Sequence, residues 1–510
     1  MTSLVIATRD GIADAGQEED LARLRKSLSH PNAKVLVHFH GGLVDESSGR
    51  EAAKRLSGQG ANSWNLGDDW TQLYLVWRTD AFETLRTNWK DLAENDRLYQ
   101  IVLSKLLNFA ARSMTVPAKP GVGERSARDL LGIGEREIRS RISGTAGQDF
   151  RQNPFPELDR SIGIGVPEQS RALVPAQAQP SDLAKSFKSE LEMDPDFESV
   201  IRDLTAAING DAAGRSALVS GDAVVGRESL KRLSSVIQRK IASSDDATQS
   251  GGRGVVSISI FILERVAELA FRVFTRFRSS RDHGFHATVV EEVCREFYGD
   301  LVGATIWRMI KGDAAQHFKA GGFGLTLLDT LRTAARPVRI AITAHSAGAI
   351  LASHMLLKCK ESNIFLNPDV FFLAPAVRCS LFSEVVKEIG SGIRDFRMFT
   401  MKDEYERKDP VLGANLSFIY PSSLLYCVSG MFEEQADKHY LDAPLLGMQR
   451  FFGASFLDST EMVADNYISE FLAGKVTLSP LNQVCEAICH GCFDDDPSTL
   501  ASVRNQLVRN

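Results

Sequence analysis

The sequence predicts an α/β protein with a mostly parallel, doubly wound sheet that is interrupted by a large, mainly helical insertion. Two observations support this prediction. Apolar strand candidates alternate with helical segments at the start of the chain and again beyond residue 338, as in parallel sheets covered by helices. Between these regions, 115–250 is rich in Gly, Pro, Ser, Ala and charged residues. We therefore expect 1–114 and 321–510 to form the core, and 115–320 to be a partly flexible cap or lid.

The alternation is read from hydrophobic spacing. Short apolar runs rich in β-branched residues predict strands at 4–8, 34–40, 73–77, 338–343, 369–376 and 396–401. Apolar residues at helical spacing predict helices at 17–28, 48–56, 81–112, 381–389, 422–432, 459–472 and 497–508. A further helix is expected directly after Ser346.

The insertion has its own helical segments, predicted at 182–192, 196–208 and 228–243. The apolar stretch 255–277 contains Glu264, Arg265, Glu268 and Arg272, and these charges argue against a membrane span. An amphipathic helix fits better, packed in a core or contacting a substrate cleft, a lipid surface or another protein. Thr288 and Glu291 then have the spacing of a capping box that opens a helix reaching about residue 310.

Composition restricts the class of protein. A chain of 510 residues that is 44% hydrophobic can bury a large core. The formal net charge of −6 gives no overall basic field, so nucleic acid is not expected as a partner. The N-terminus lacks a secretory signal pattern, and seven scattered cysteines are typical of reduced thiols, so we expect a cytoplasmic protein.

Ser346 lies where the hydrophobic period changes from that of a strand to that of a helix. This is the layout of a nucleophile elbow, a sharp turn that exposes the serine Oγ and needs small neighbours two residues away. Ala344 and Gly348 meet that need. The alternative is a serine that only caps the following helix.

A second feature is His40-Gly41-Gly42, which follows the strand at 34–40. Glycines at a strand end leave backbone N–H groups bare, as an oxyanion binder requires. Gly42 is the first candidate donor and Leu43 the alternative. Taken alone, the motif also fits a simple turn beside a packed histidine.

The remaining candidates follow later strands. A group of acids comes after the strand ending at Met401, and we favour Asp403 over Asp409 because it lies closer to the rigid sheet. In favour of Asp409, the following Pro410 stiffens that loop. The alternative is that these acids are merely solvated.

His490 lies near the C-terminus beside Cys485, Cys489 and Cys492, which leaves a metal site as an alternative, although no standard zinc spacing is present. Other histidines remain alternatives to His490: His38, His40, His345 and His354.

The order Ser, Asp, His resembles that of the α/β-hydrolase superfamily of serine hydrolases, which includes lipases and esterases, over about 30–113 and 325–510. The resemblance implies that Ser346 is the nucleophile, His490 the general base, Asp403 or Asp409 the acid, and the N–H groups of Ala347 and Gly42 the oxyanion hole. Ala344 departs from the usual first glycine of the elbow.

This resemblance implies hydrolysis of a small-molecule or lipid ester through an acyl-enzyme, without a metal or other cofactor. An alternative is a non-catalytic protein of this fold that binds a partner through its insertion. Another is a membrane-surface protein that docks through 255–277. The sequence leaves the substrate and the oligomeric state open.

Overall fold

The computed structural model of the protein describes residues 2–42, 44–77, 82–116, 125–126, 135–143, 174–175, 178–212, 221–242, 252–279, 281–434, 442–451 and 466–509. The chain divides into two compact units. The first comprises Met1–Glu83, Ile306–Asp409 and Ala443–Asn510, and the second comprises Thr84–Thr305 and Pro410–Asp442. The predicted insertion thus falls mostly in the second unit, which also takes in a segment from the C-terminal part of the chain.

The strands confirm an α/β class with a mostly parallel sheet. In chain order they are β1 Thr2–Arg9, β2 Ile12–Ala13, β3 Lys34–Phe39, β4 Trp70–Trp77, β5 Met114–Val116, β6 Arg125–Ser126, β7 Val174–Pro175, β8 Arg339–His345, β9 Asp369–Leu373, β10 Asp395–Met401 and β11 Val476–Ser479. Eight of them form one sheet in the order β11-β10-β9-β8-β3-β4-β1-β2. Neighbours in this sheet are parallel except β1 and β2.

The central strands are buried along their length, as expected for apolar runs covered on both faces. The helices that accompany the sheet in the first unit are Glu18–Leu28, Glu46–Leu56, Ala304–Gln316, Phe323–Arg332, Gly348–Glu361, Cys379–Ile389, Asp403–Glu406, Asn466–Leu472 and Pro497–Arg509. One core cluster joins sheet residues such as Phe371 to Leu500 of the last helix, and it includes Cys485, Ala487 and Phe493. The segment around His490 is therefore anchored in the core on both sides.

The register of the sheet positions the site. Phe39 of β3 lies opposite Ala344 of β8, and His345 of β8 lies opposite Leu373 of β9. Because these strands are parallel, the residues that follow them emerge at one edge of the sheet, the edge at which open α/β sheets form their sites. His40-Gly41-Gly42 and Ser346 are thereby placed together.

The second unit is mainly helical. Its helices are Phe82–Asn95, Arg97–Ser113, Glu135–Ile142, Pro180–Glu192, Pro195–Ala212, Gly221–Arg232, Ser235–Ala242, Gly252–Arg278, Phe285–Val293, Gly299–Val302 and Leu424–Cys427, with π-helical turns at Cys294–Tyr298 and Val428–Phe432. β5, β6 and β7 form a small separate sheet. Most apolar side chains of Gly252–Arg278 are buried, while Ile260 and Phe271 are about half exposed. Within the described ranges, no helix combines the length and apolar character needed to cross a bilayer.

Two local predictions in this region are wrong. The predicted helix 81–112 is broken at Asp96, whose buried carboxylate accepts a hydrogen bond from the Tyr99 N–H and so begins a new helix. Thr288 and Glu291 form no capping box, because the helix begins earlier, after Gly284. The Thr288 hydroxyl instead accepts from the His283 N–H.

Glu291 belongs to a buried charged cluster inside the second unit. Arg276 forms ion pairs with Glu291 at 2.5 Å and with Glu292 at 3.0 Å, and all three side chains are fully buried. Burial alone would raise the pKa of Glu291, but the charges of Arg276 and His283, with hydrogen bonds from His283 and Tyr420, bring it down to about 2. The cluster thus keeps a carboxylate ionised in the protein interior.

Candidate active site

Ser346 has the backbone of a nucleophile elbow. Its φ of +51° lies in the left-handed region, which non-glycine residues rarely adopt. Two hydrogen bonds hold this strained turn: the Ser346 N–H donates to Leu373 O at 2.9 Å, and the Ala376 N–H donates to Ser346 O at 3.0 Å. The turn is thus fixed to the end of β9, as a rigidly presented serine requires.

The neighbours of Ser346 are small for a steric reason. A Cβ atom at Gly348 would lie 2.3 Å from the main-chain oxygen of Phe39 and 2.8 Å from that of His40. Such distances exclude any side chain, so only glycine lets the helix Gly348–Glu361 start this close to β3. Ala344, on the strand side, is fully buried.

His490 meets this serine. Its Nε2 lies 2.8 Å from Ser346 Oγ, within hydrogen-bond distance, although the residues are 144 positions apart. Burial, and then the charge of His345, lower the pKa of His490 well below 6.5. The imidazole is therefore neutral at neutral pH and can accept the serine proton.

The segment that carries His490, residues 485–493, is here called the histidine loop. His490, Gly491 and Cys492 form a 3₁₀ turn that brings the Cα atoms of Cys489 and Cys492 to 5.2 Å, and these two cysteines form a disulfide. The prediction that all cysteines are reduced is wrong for this pair, because the turn places thiols three residues apart side by side.

The five other cysteines are free and buried: Cys294, Cys359, Cys379, Cys427 and Cys485. The disulfide removes one argument for a cytoplasmic location, which stays a prediction.

The two candidate acids have different partners. Asp409 Oδ2 accepts a hydrogen bond from the His490 main-chain N–H at 2.6 Å. Burial raises the pKa of Asp409, and this hydrogen bond lowers it in part. Asp403 instead begins a helical turn and pairs with Arg407 at 3.0 Å and Arg450 at 3.4 Å. Of the two, the structure brings Asp409 to His490.

The candidate oxyanion donors lie side by side. A Cβ atom at Gly42 would be 3.0 Å from Ala347 Cβ, and one at Gly41 would be 3.2 Å from Ser346 Cβ. Gly41 and Gly42 therefore pack directly on the elbow, and the absence of side chains permits this approach. The alternative donor Leu43 lies outside the described residues.

His40 orients this glycine pair. Its Nε2 faces the Trp77 N–H at 3.2 Å and must accept, so Nδ1 carries the proton and donates to Gly41 O at 2.6 Å. The Gly41–Gly42 peptide is trans, so the Gly42 N–H points away from the His40 ring. Burial lowers the pKa of His40 to about 4, which keeps it in this neutral form.

The sequence singled out His345 only as an alternative catalytic histidine. In the structure its Nε2 lies 2.9 Å from the main-chain oxygen of His490. Of the other alternative histidines, His38 has its Nδ1 2.8 Å from the Thr343 hydroxyl. His40 instead contacts Gly41 O, as described above. Within the described part of the chain, no group of three or more His, Cys, Asp or Glu side chains is arranged to hold a metal ion.

The comparisons with known proteins add no relative. No family model matches the chain, and the searches of curated proteins and of solved structures found no significant match.

Proposed function

We propose that the protein is a serine hydrolase of the α/β-hydrolase type that cleaves an ester through Ser346, His490 and Asp409. The observation that carries this proposal is the 2.8 Å contact between His490 Nε2 and Ser346 Oγ on a turn with positive φ. A buried serine that merely caps a helix needs neither the strained backbone nor a neutral histidine at its hydroxyl. The pair is what nucleophilic catalysis requires.

The chemistry follows from these positions. Ser346 Oγ attacks the substrate carbonyl carbon while His490 Nε2 takes its proton. The carbonyl oxygen becomes an oxyanion next to the N–H groups of Ala347 and Gly42, and the alcohol leaves with the proton held by His490. Water then attacks the acyl-enzyme with His490 again as base, which returns the free serine and releases the acid.

Asp409 takes the role of the acid in this proposal, in place of the Asp403 favoured from the sequence. In support of this role, Asp409 Oδ2 accepts a hydrogen bond from the His490 main-chain N–H at 2.6 Å. Asp403 already has Arg407 and Arg450 as partners. The substrate class remains a small-molecule or lipid ester, as the resemblance to lipases and esterases implies.

Hydrolysis of p-nitrophenyl butyrate tests the proposal. We expect turnover by the wild type and a loss of about 10⁴-fold or more in kcat for Ser346→Ala. Ser353→Ala is the matched control, because Ser353 is a buried serine of the following helix whose hydroxyl donates to Ala349 O at 2.7 Å. Equal activity in the two variants, or no turnover of any p-nitrophenyl ester by the wild type, would overturn the proposal in favour of a partner-binding protein.

A further inference from the structure

The main chain of His490 is held at both of its polar groups. Its N–H donates to Asp409 Oδ2 at 2.6 Å, and its C=O accepts from His345 Nε2 at 2.9 Å. Asp409 and His345, which lie in separate parts of the chain, thus each bind one polar group of the His490 main chain. The first of these bonds has a carboxylate as its acceptor, and short hydrogen bonds to a carboxylate are among the stronger ones in proteins.

The imidazole of His490 has fewer restraints than its main chain. Nε2 contacts Ser346, and Nδ1 has no hydrogen-bond partner among the described residues. In a Ser-His-Asp triad the acid usually orients the ring through that nitrogen. Here the ring position depends on the backbone of the histidine loop, so the groups that hold this backbone determine the distance to Ser346.

His345 is well placed to hold it. It ends β8, paired with Leu373 across the sheet, and directly precedes the nucleophile in the chain. Since its Nε2 faces a carbonyl oxygen, that nitrogen must carry a proton. His345 is 7% exposed as a residue, and its ring stacks on the His490 ring with centroids 5.6 Å apart, while Nδ1 lies 3.8 Å from Asp494. A rigid strand end thus connects the nucleophile to the base.

We propose that His345 is a positioning residue: by donating from Nε2 to the main-chain carbonyl of His490, it holds the imidazole at Ser346 Oγ, with Asp409 as the opposing restraint on the main-chain amide. The catalytic meaning of this restraint depends on the proposed function. The restraint itself is a property of the histidine loop and can be measured separately.

Two amide substitutions at His345 distinguish the effect of its hydrogen bond from the effect of the rest of the ring. Glutamine can place its Nε2 donor where His345 has one, whereas asparagine is too short to reach the His490 carbonyl. We expect His345→Asn to lower kcat for p-nitrophenyl butyrate about 10²-fold with KM little changed, the cost of a misplacement near 1 Å, and His345→Gln to stay within about 3-fold. Equal losses in both variants, or no loss in either, would overturn the proposal. His345→Ala replaces the asparagine variant should the latter not fold.

Hydrogen–deuterium exchange of the peptide covering 485–493 provides the readout that does not need activity. We expect faster exchange in His345→Asn than in the wild type, and wild-type exchange in His345→Gln. The same exchange rate in all three proteins overturns the restraint, even if the wild type hydrolyses esters. Should exchange separate the two variants while the wild type shows no hydrolysis, the proposed function fails and the restraint stands.

Discussion

His490 Nε2 lies 2.8 Å from Ser346 Oγ across 144 residues of sequence. Parallel pairing brings the two together, because the serine follows β8 and the histidine follows β11 on the same sheet. A neutral histidine thus lies at the hydroxyl of a serine with a strained backbone, and the proposed hydrolysis depends on this pair.

Gly42 should be intolerant of a side chain. A methyl group there would lie 3.0 Å from Ala347 Cβ and 3.4 Å from the Ile310 side chain, so we expect the loop to shift by a few tenths of an ångström and its N–H with it. We expect Gly42→Ala to lower kcat about 10²-fold, the loss associated with one oxyanion donor. Gly60→Ala is the control, because a Cβ atom at Gly60 would have no atom of the described residues within 4 Å. Similar kcat values for both variants would show that Gly42 is only part of a turn.

We expect a substitution at Asp409 to lower activity and a substitution at Asp403 to lower stability. Asparagine at Asp409 can still accept the His490 N–H but carries no charge, so we expect kcat to fall between about 10²-fold and 10⁴-fold. Asp403→Asn should keep kcat and lose about 1–3 kcal/mol of unfolding free energy, since Arg407 and Arg450 lose a charged partner. Steady-state kinetics and urea unfolding of both variants decide which aspartate is the acid. The reverse pattern would assign the acid to Asp403.

The pH dependence should reflect the lowered pKa of His490. Burial, and then the charge of His345, favour the neutral imidazole, so the base is lost only as the pH falls through a value well below 6.5. We expect kcat/KM for a non-ionising ester to stay flat from about pH 7.5 down to 6.5 and to decline at lower pH. An acid limb with its midpoint at or above 6.5 would mean that His490 is solvated or is not the base.

Arg276 should be important for the stability of the second unit. Its removal leaves Glu291 and Glu292 buried without their shared cation, so we expect Arg276→Met to cost about 3–5 kcal/mol of unfolding free energy. Arg23→Met, which removes an exposed pair with Glu19, should cost under about 1 kcal/mol. Urea midpoints of the two variants test this difference, and equal midpoints would contradict it.

The same cluster gives stability a pH dependence. The pKa of Glu291 is lowered in the folded protein from 4.5 to about 2, so the unfolded chain binds a proton more readily. Its contribution to stability is therefore complete above about pH 4.5 and is lost as the pH falls toward 2. Melting temperatures of the wild type should fall more steeply over that range than those of Glu291→Gln.

Much of the core was predictable because it depends on local patterns. The strands and helices around Ser346 follow from a change of hydrophobic period, and the order of serine, acid and histidine follows from the chain itself. Contacts made by loops were not predictable in this way. Asp403 was favoured for its closeness to β10, yet it begins a helical turn that directs its carboxylate to Arg407, four residues on.

The same limit applies to the histidine loop. The pairing of Cys489 with Cys492 depends on a 3₁₀ turn, and the contact of His345 with the His490 carbonyl depends on where that turn meets the sheet. Neither leaves a periodic signal in the sequence. The spacing of two cysteines around a histidine was visible, but spacing alone favours a metal site as readily as a disulfide.

Labelling with a fluorophosphonate probe, followed by mass spectrometry of the peptides, tests the central claim most directly. If Ser346 is a nucleophile activated by His490, the adduct maps to Ser346 in the wild type, is absent in Ser346→Ala, and forms much more slowly in His490→Ala. A wild type that stays unlabelled, or an adduct that persists unchanged in Ser346→Ala, would contradict the account.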